Sequence, residues 1–178
     1  PSEISSGASV LRVYADYMLA AQRASEEGGA AGAVAGEAAT SPSSRSPPLA
    51  IMVSDDTESG IRAMLEANKY FGLGKANVTL LKQEKVAALA DASAKFAMVS
   101  KYEIATKPHG HGDIHFLLHS SGTCKRWHDE LGVRWLHFFQ DTNTLYFCNF
   151  LATLGVSATP QVAVNLVASP RRAKEAVG

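Results

Sequence analysis

The segment Lys107-Pro108-His109-Gly110-His111-Gly112-Asp113 contains the densest group of residue types that could do chemistry. Its two glycines would let the backbone approach a ligand closely. The segment leads into a predicted helix, and a helix N-terminus offers unpaired N–H groups and partial positive charge to an anion. His111 and Lys107 could donate further hydrogen bonds to that anion. The alternative is a tight turn capped by Asp113, and these residues alone favour neither interpretation.

Three histidines form a second pattern with chemical potential. His111, His115 and His119 are spaced four residues apart, so they would share one face of a helix. Zinc uses histidine readily as a ligand. However, the sequence offers no second ligand pair at a fixed spacing, and Cys124 and Cys148 lie elsewhere. The pattern therefore favours histidines without a metal, with a zinc site as the competing hypothesis. Cys124 has no activating partner in sequence, which favours a structural thiol.

Two further polar residues follow apolar runs that predict buried strands. Asp141 comes shortly after the run 135–139, and a carboxylate there could hold Mg²⁺ beside phosphates or could cap the next helix. Gln83 follows the run 78–81. Its amide could present a donor and an acceptor to one edge of a base, although a lone glutamine is an ordinary loop residue.

The elements that must position these residues follow from the hydrophobic pattern. Helical spacing is present over residues 9–24, 57–70, 113–131 and 145–154. Short apolar runs predict buried strands at 49–54, 78–81, 135–139 and 162–168, and residues 96–106 predict a more exposed pair of extended pieces. This alternation predicts an α/β fold with a mixed, mostly parallel, Rossmann-like sheet that carries helices on both faces. Ligands of such sheets bind beyond the carboxyl ends of the strands, where residues 54–56 and 140–143 would lie.

One stretch differs in composition from the rest of the chain. Residues 24–48 are mostly alanine, glycine, serine and proline, which bury too little apolar area to offset the entropy lost on ordering. We expect a disordered surface insertion there, and we expect residues 1–178 as a whole to be part of one domain. The chain opens with Pro1 rather than methionine, and we interpret it as a segment of a longer protein.

Composition and charge narrow the possible partners. The 178 residues include 17 basic and 17 acidic residues, so the net charge is zero. A neutral chain is a poor candidate for binding duplex nucleic acid or an anionic membrane surface. No apolar run approaches the ~20 residues of a spanning helix.

Two cysteines cannot build a disulfide framework, which favours a reducing, cytoplasmic location. We expect a monomer.

Several of these segments, taken together and in order, resemble the UDP-sugar pyrophosphorylases. The resemblance covers residues 49–178 strongly and residues 1–24 moderately, and ordered motifs are more specific than any single motif. The motifs are Ile51-Met52-Val53-Ser54-Asp55-Asp56-Thr57, Leu80-Leu81-Lys82-Gln83-Glu84-Lys85-Val86-Ala87, Thr106-Lys107-Pro108-His109-Gly110-His111-Gly112-Asp113, Phe138-Phe139-Gln140-Asp141-Thr142-Asn143, Leu154-Gly155-Val156-Ser157-Ala158-Thr159 and Pro170-Arg171-Arg172-Ala173-Lys174-Glu175-Ala176.

The resemblance implies roles for individual residues in a nucleotidyltransferase. Gln83 matches the glutamine that reads uracil, and Gly110 matches a glycine whose backbone lies against the uridine. His111 matches the histidine expected near the phosphates. Asp141 matches the aspartate that holds the metal, which implies Mg²⁺ as cofactor. Glu175 matches a position near the sugar hydroxyls.

The resemblance also implies the reaction. UTP and a sugar 1-phosphate, such as that of glucose, galactose, xylose or glucuronic acid, would give a UDP-sugar and pyrophosphate by in-line attack on the α-phosphorus. Positioning and charge neutralisation would carry the rate. His111 and Lys107 would be the catalytic basic groups that stabilise oxygens gaining charge.

Alternatives to this interpretation come from the same motifs. UDP-glucose pyrophosphorylases share the Gly-His-Gly-Asp loop, whereas UDP-N-acetylhexosamine pyrophosphorylases carry asparagine at the position of His111. The family's loop of the form Leu-x-Gly-Gly-x-Gly-x-Arg-Leu-Gly would precede the stretch that Pro1–Gly7 resembles. That loop is not among these 178 residues. We therefore expect this incomplete catalytic core to be inactive on its own. A further alternative is that the segment binds a uridine nucleotide without catalysing a reaction.

Overall fold

The computed structural model describes residues 7–31, 46–143, 146–159, 162–168 and 170–174. It divides into two compact units. One comprises Arg12–Arg134, and the other comprises Pro1–Leu11 with Trp135–Gly178. Each unit is described by itself below.

Helix α1 (Val10–Ala31) is longer than predicted. The helical pattern over residues 9–24 is confirmed, and Val10, Tyr14 and Ala15 are buried. The helix continues past Ala24 to Ala31, into the stretch for which we expected disorder. Glu26, Glu27, Ala30 and Ala31 in this extension favour a helix, whereas Gly28 and Gly29 do not. Residues 32–45 of the same stretch lie outside the described part of the chain.

The centre of the larger unit is a parallel pair of strands joined by a helical crossover. Strand β1 (Leu49–Val53) pairs with β2 (Val78–Lys82) in the register Leu49↔Val78 to Val53↔Lys82. Helix α2 (Glu58–Ala67) and two short 3-10 turns, Lys69–Gly72 and Lys75–Asn77, connect them. The predicted strands at 49–54 and 78–81 and the helix over 57–70 are therefore confirmed, with shorter bounds for α2.

Beyond β2 the chain forms two small antiparallel ladders. Strand β3 (Lys85–Ala87) pairs with β6 (Thr106–Pro108), and β4 (Met98–Ser100) pairs with β5 (Glu103–Ile104). The prediction of an exposed extended pair within residues 96–106 is confirmed. Because β3 follows directly on β2, the β3–β6 pairing returns the chain to the end of β2 just before the Gly-His-Gly segment.

The prediction of one long helix over residues 113–131 is wrong. The structure has two helices, α3 (Asp113–Ser120) and α4 (Thr123–Leu131). They are separated at Gly122, whose φ of +70° lies in the left-handed region that a helix does not use. Glycine adopts this conformation without the steric penalty of a side chain, so it permits the break. Gly132, with a φ of +67°, ends α4 in the same way.

The core of this region joins the two helices to the parallel strands. Leu81, Leu118 and Trp127 form a buried cluster, against which Cys124 and other partly buried side chains pack. Each residue comes from a different element, namely β2, α3 and α4. Burial of these apolar side chains is therefore what holds α3 against the end of β2.

The smaller unit contains helix α5 (Phe150–Ala158), which follows a 3-10 turn at Tyr146–Asn149. The predicted strands at 135–139 and 162–168 are wrong, because within the described residues neither range pairs with a strand. An extended segment becomes a strand only when its backbone groups find a ladder partner. Side-chain contacts involve residues 135–139 instead: Phe139 stacks on Tyr146 with ring centroids 4.9 Å apart. His137 Nδ1 lies 2.6 Å from the Tyr146 hydroxyl.

The described strands therefore form three separate two-stranded sheets, of which only β1–β2 is parallel. The α/β class is confirmed, while the described residues do not contain a large, mostly parallel sheet. No helix among them is long and apolar enough to span a membrane.

The core cluster yields a stability prediction. Leu118→Ala should lower the free energy of unfolding by about 2–5 kcal/mol, because it removes a buried side chain and leaves a cavity. Phe116→Ala, on the same helix but with a side chain 66% exposed, should change it by about 0.5 kcal/mol or less. Urea denaturation followed by tryptophan fluorescence measures both. Equal effects would show that α3 does not pack as described.

Candidate functional site

The carboxyl end of β1 is shaped by a tight turn into α2. The Ser54 carbonyl oxygen accepts hydrogen bonds from the N–H groups of Thr57 and Glu58, at 3.1 and 2.9 Å. The Ser54 N–H donates to Thr57 Oγ1 at 2.9 Å. These bonds reverse the chain and leave Asp55 and Asp56 exposed, next to the end of β2.

An ion-pair network joins the ends of the two strands. Lys82 Nζ lies 2.6 Å from Asp55 Oδ1 and 3.4 Å from Glu58 Oε2. Lys85 Nζ lies 3.3 Å from Asp56 Oδ1. The hydrogen bond from Lys82 and its positive charge hold the pKa of Asp55 below its usual range, and the same pair raises the pKa of Lys82. Since these groups are exposed, the network contributes little to stability, but it balances the charge at this edge.

Gln83 is fixed at this edge by its backbone and its side chain. Its N–H donates to the Val53 carbonyl oxygen at 2.8 Å, which extends the β1–β2 ladder by one bond. Its side-chain Oε1 accepts a hydrogen bond from the Gly110 N–H at 3.2 Å. The structure therefore brings together two of the residues singled out in the sequence, although they are 27 positions apart.

The loop that carries Gly110 is held at both ends. The His109 N–H donates to the Glu84 carbonyl oxygen at 3.3 Å, and His109 Nδ1 lies 2.7 Å from Asp113 Oδ1. The Asp113 N–H donates to the Gly110 carbonyl oxygen at 3.1 Å, which closes a turn. Gly110 has a φ of +123°, a conformation that only glycine adopts readily.

Of the two interpretations of this segment, the tight turn is confirmed, and anion binding stays a prediction. The turn exists, but the Asp113 side chain bonds to His109, and no side-chain hydrogen bond caps the N-terminus of α3. A Cβ added at Gly110 would meet nothing within 4 Å, so the α-carbon face of this glycine is open. A flat ligand can approach the backbone there.

The remaining predicted residues of the larger unit lie close in sequence to this loop. Lys107 is in β6, opposite Val86 of β3, and its side chain is exposed. His111 lies in the turn just before α3 and is also exposed. Both side chains are therefore accessible from solvent.

The two remaining predicted residues are not part of the larger unit. Asp141 belongs to the smaller unit, in an exposed turn that is closed by a hydrogen bond from the Asn143 N–H to the Gln140 carbonyl oxygen at 3.0 Å. It does not cap a helix, because α5 begins only at Phe150 with Asn149 as its N-cap. Glu175 lies outside the described residues.

The zinc hypothesis finds no support in the part of the chain that the structure describes. No group of three or more His, Cys, Asp or Glu side chains there is arranged to hold a metal ion. His111, His115 and His119 are all described, so they do not form such a group.

Two residues that make contacts at this edge, Lys82 and His109, were not predicted from the sequence. Lys82 precedes Gln83 and faces a carboxylate from the other strand end, and His109 bonds to Asp113 across the turn. The four-residue spacing between His109 and Asp113 was a usable signal, because residues four apart can contact each other across one helical turn. The Lys82–Asp55 pair had no local signal, since it depends on strand register.

Comparisons with known proteins agree with the motifs. No protein-family model matches the chain. The chain is 48% identical over 180 residues to UDP-sugar pyrophosphorylase of Arabidopsis thaliana. The match covers 100% of this chain and 28% of that protein. It is 47% identical over 180 residues to UDP-sugar pyrophosphorylase of Oryza sativa subsp. indica, covering 100% of this chain and 27% of the relative.

Among solved structures, one described as a UDP-N-acetylglucosamine pyrophosphorylase from Entamoeba histolytica matches with a TM-score of 0.50 and 19% identity. The match covers 66% of this chain and 26% of that one, and it concerns the fold alone. The chain spans little more than a quarter of the length of the curated relatives. The resemblance found in the motifs is thus confirmed: the whole of this chain matches one segment of the UDP-sugar pyrophosphorylases.

Proposed function

We propose that the full-length protein transfers a uridylyl group from UTP to sugar 1-phosphates, giving UDP-sugars and pyrophosphate. The names of the curated relatives support this activity. The structural observation that carries the proposal is the hydrogen bond from the Gly110 N–H to Gln83 Oε1, which places an amide side chain beside an open glycine backbone. A base and its ribose are a suitable ligand for that combination.

Gln83 is proposed to read the uracil. The Watson–Crick edge of uracil presents one N–H donor between two carbonyl acceptors. A carbonyl oxygen has two lone pairs, so Gln83 Oε1 can accept from that N–H while it keeps its bond to Gly110, and its NH₂ group can donate to a uracil carbonyl. Cytosine presents a lone-pair nitrogen at the same position, and Gln83 Oε1 would face it without a hydrogen bond.

The phosphates are proposed to extend from Gly110 toward the start of α3. The N-terminus of that helix favours negative charge, and Asp113 is engaged by His109. His111 and Lys107 then act as the basic groups that stabilise the oxygens gaining charge as the sugar phosphate attacks the α-phosphorus. A sugar phosphate is already ionised at neutral pH, so this reaction needs no general base.

Mg²⁺ is proposed as the cofactor, with Asp141 as its protein ligand. The described residues contain no cage of three or more metal-binding side chains. An exposed single carboxylate fits the way proteins bind Mg²⁺ through one or two carboxylates together with substrate phosphates. When bound, the ion would neutralise charge on the nucleotide phosphates.

The full-length protein is proposed to place β1 and β2 within a larger, mostly parallel, Rossmann-like sheet with helices on both faces. Their parallel register, the α2 crossover and the polar residues at their carboxyl ends are the features that support this. Glu175 is proposed to contact the sugar. The free thiols of Cys124 and Cys148 are compatible with a reducing, cytoplasmic location, and we propose a monomer.

The activity is tested by assaying the full-length protein with UTP, Mg²⁺ and the 1-phosphates of glucose, galactose, xylose and glucuronic acid. We expect pyrophosphate release with several of these sugars. Release with glucose 1-phosphate alone would make the protein a UDP-glucose pyrophosphorylase. UTP binding without release in any assay would leave only a uridine-nucleotide-binding role.

Substitution of Gln83 tests the reading of uracil. Gln83→Ala should weaken UTP binding by about tenfold or more, because a buried or half-buried polar contact to the base is lost. Gln83→Glu keeps an acceptor for the Gly110 N–H but loses the amide donor, so it should also weaken UTP binding. Isothermal titration calorimetry measures both, with Glu84→Ala as the neighbouring control. Unchanged affinity in Gln83→Glu would show that Gln83 only anchors the loop.

Substitution of Asp141 tests the metal site. Asp141→Asn should reduce the enhancement of UTP binding by Mg²⁺ by about tenfold, because an anionic ligand becomes neutral. Binding of UTP without Mg²⁺ should change little. Asp16→Asn, which removes an exposed carboxylate paired with Arg12, is the control. Full Mg²⁺ enhancement in Asp141→Asn would assign the metal to other residues.

A further inference from the structure

A cavity in the larger unit lies away from the residues assigned to uridine. Its volume is about 540 Å³, within the range of small-molecule sites. It is bounded by the end of α2, the loop before β2, β2 itself and the start of α4. None of Gln83, Lys107, Gly110 and His111 lines it.

The charge of this cavity is one-sided. Its lining includes three basic side chains, from Arg62, Lys75 and Arg126, and no acidic side chain. In the described part of the chain, Lys75 and Arg126 form no ion pair with a carboxylate. Arg62 donates to Glu58 through Nη2, which leaves its other N–H donors for a ligand. By contrast, the two lysines beside Gln83, Lys82 and Lys85, are paired with carboxylates.

Neutral donors accompany these cations. Arg126 Nη2 lies 3.5 Å from Thr79 Oγ1, so the guanidinium reaches over β2. The hydroxyls of Ser121 and Thr123 are 2.8 Å apart at the start of α4, and both residues line the cavity. Hydroxyl and guanidinium groups are the donors with which proteins commonly bind phosphate.

The position of the cavity on β2 adds backbone donors. Four consecutive residues, Val78–Leu81, line it. Successive side chains of a strand point to opposite faces, so a cavity that touches four in a row runs along the edge of the strand. β1 occupies the other edge, and no other described strand pairs with β2. N–H groups on this open edge can therefore serve a ligand.

We propose that this cavity binds a small molecule through its phosphate group, at a site separate from the uridine site. The Lys75 and Arg126 cations are the principal contacts, and Arg62 and the hydroxyls of Thr79, Ser121 and Thr123 complete the donor set. Apolar side chains such as Leu65 and Leu80 line the same cavity and would contact the carbon skeleton of the ligand. A phosphate monoester of a small metabolite fits this combination, and free inorganic phosphate carries the same recognised group.

The test is equilibrium dialysis of radiolabelled inorganic phosphate against the full-length protein. The double variant Lys75→Gln/Arg126→Gln should bind phosphate about tenfold more weakly or worse, because two charge-assisted contacts are lost. The charge-preserving variant Lys75→Arg/Arg126→Lys should retain binding. Lys125→Gln, an exposed change on the same helix, should stay within about twofold of the wild type. A phosphate monoester that competes more tightly than unlabelled inorganic phosphate would identify a metabolite ligand, and weaker competition by the monoester would identify free phosphate.

Two outcomes would overturn the proposal. One is wild-type affinity for phosphate in the double variant. The other is the absence of binding to the wild-type protein, which would show that the cavity is filled or closed in the full-length protein. If the double variant does not fold, wild-type crystals soaked in tungstate decide instead. Anomalous density between Lys75 and Arg126 is the expected result, and density at the Gly-His-Gly loop alone would refute the separate site.

Discussion

Parallel pairing of β1 and β2 determines where every candidate group of the larger unit lies. The register sets Val53 beside Lys82, and the ladder ends with the bond from the Gln83 N–H to the Val53 carbonyl oxygen. Polar residues that follow each strand therefore meet at one edge. A shift of one residue would turn Leu81 out of the core and carry Lys82 away from Asp55, so the apolar pattern protects the geometry of the site.

The hydrophobic cluster of Leu81, Leu118 and Trp127 provides the second constraint. It fixes α3 against β2, and α3 begins directly after the loop that contains Gly110. The β3–β6 ladder fixes the other end of that loop. The hydrogen bond between Gly110 and Gln83 therefore depends on packing and on strand pairing at once, and neither partner is positioned by local sequence alone.

This dependence explains which features could be predicted from the sequence. Apolar runs identified β1 and β2, and the strand-end positions of Gln83 and Asp55 follow from them. The break at Gly122 was missed, because a single glycine within a helical pattern is tolerated in many helices. Residues 135–139 carry a strand-like pattern, yet Phe139 meets Tyr146 through its ring, and a pattern cannot say whether a ladder partner exists. Ion pairs such as Lys82–Asp55 depend on the register between two strands, and a short stretch of sequence does not contain that information.

The distribution of charge along β2 separates two kinds of anion site. At its carboxyl end, Lys82 and Lys85 are paired with carboxylates, so this edge offers a phosphate little net attraction. A triphosphate bound there would need positive groups outside the network, and for this role we propose His111, Lys107, the N-terminus of α3 and Mg²⁺. At the amino end of β2, Lys75 and Arg126 lack such carboxylate partners within the described residues. Within the described residues, the lysines at one end of β2 are paired with carboxylates, and the cations at the other end are not. This difference in charge is the physical reason why we propose different ligands at the two ends.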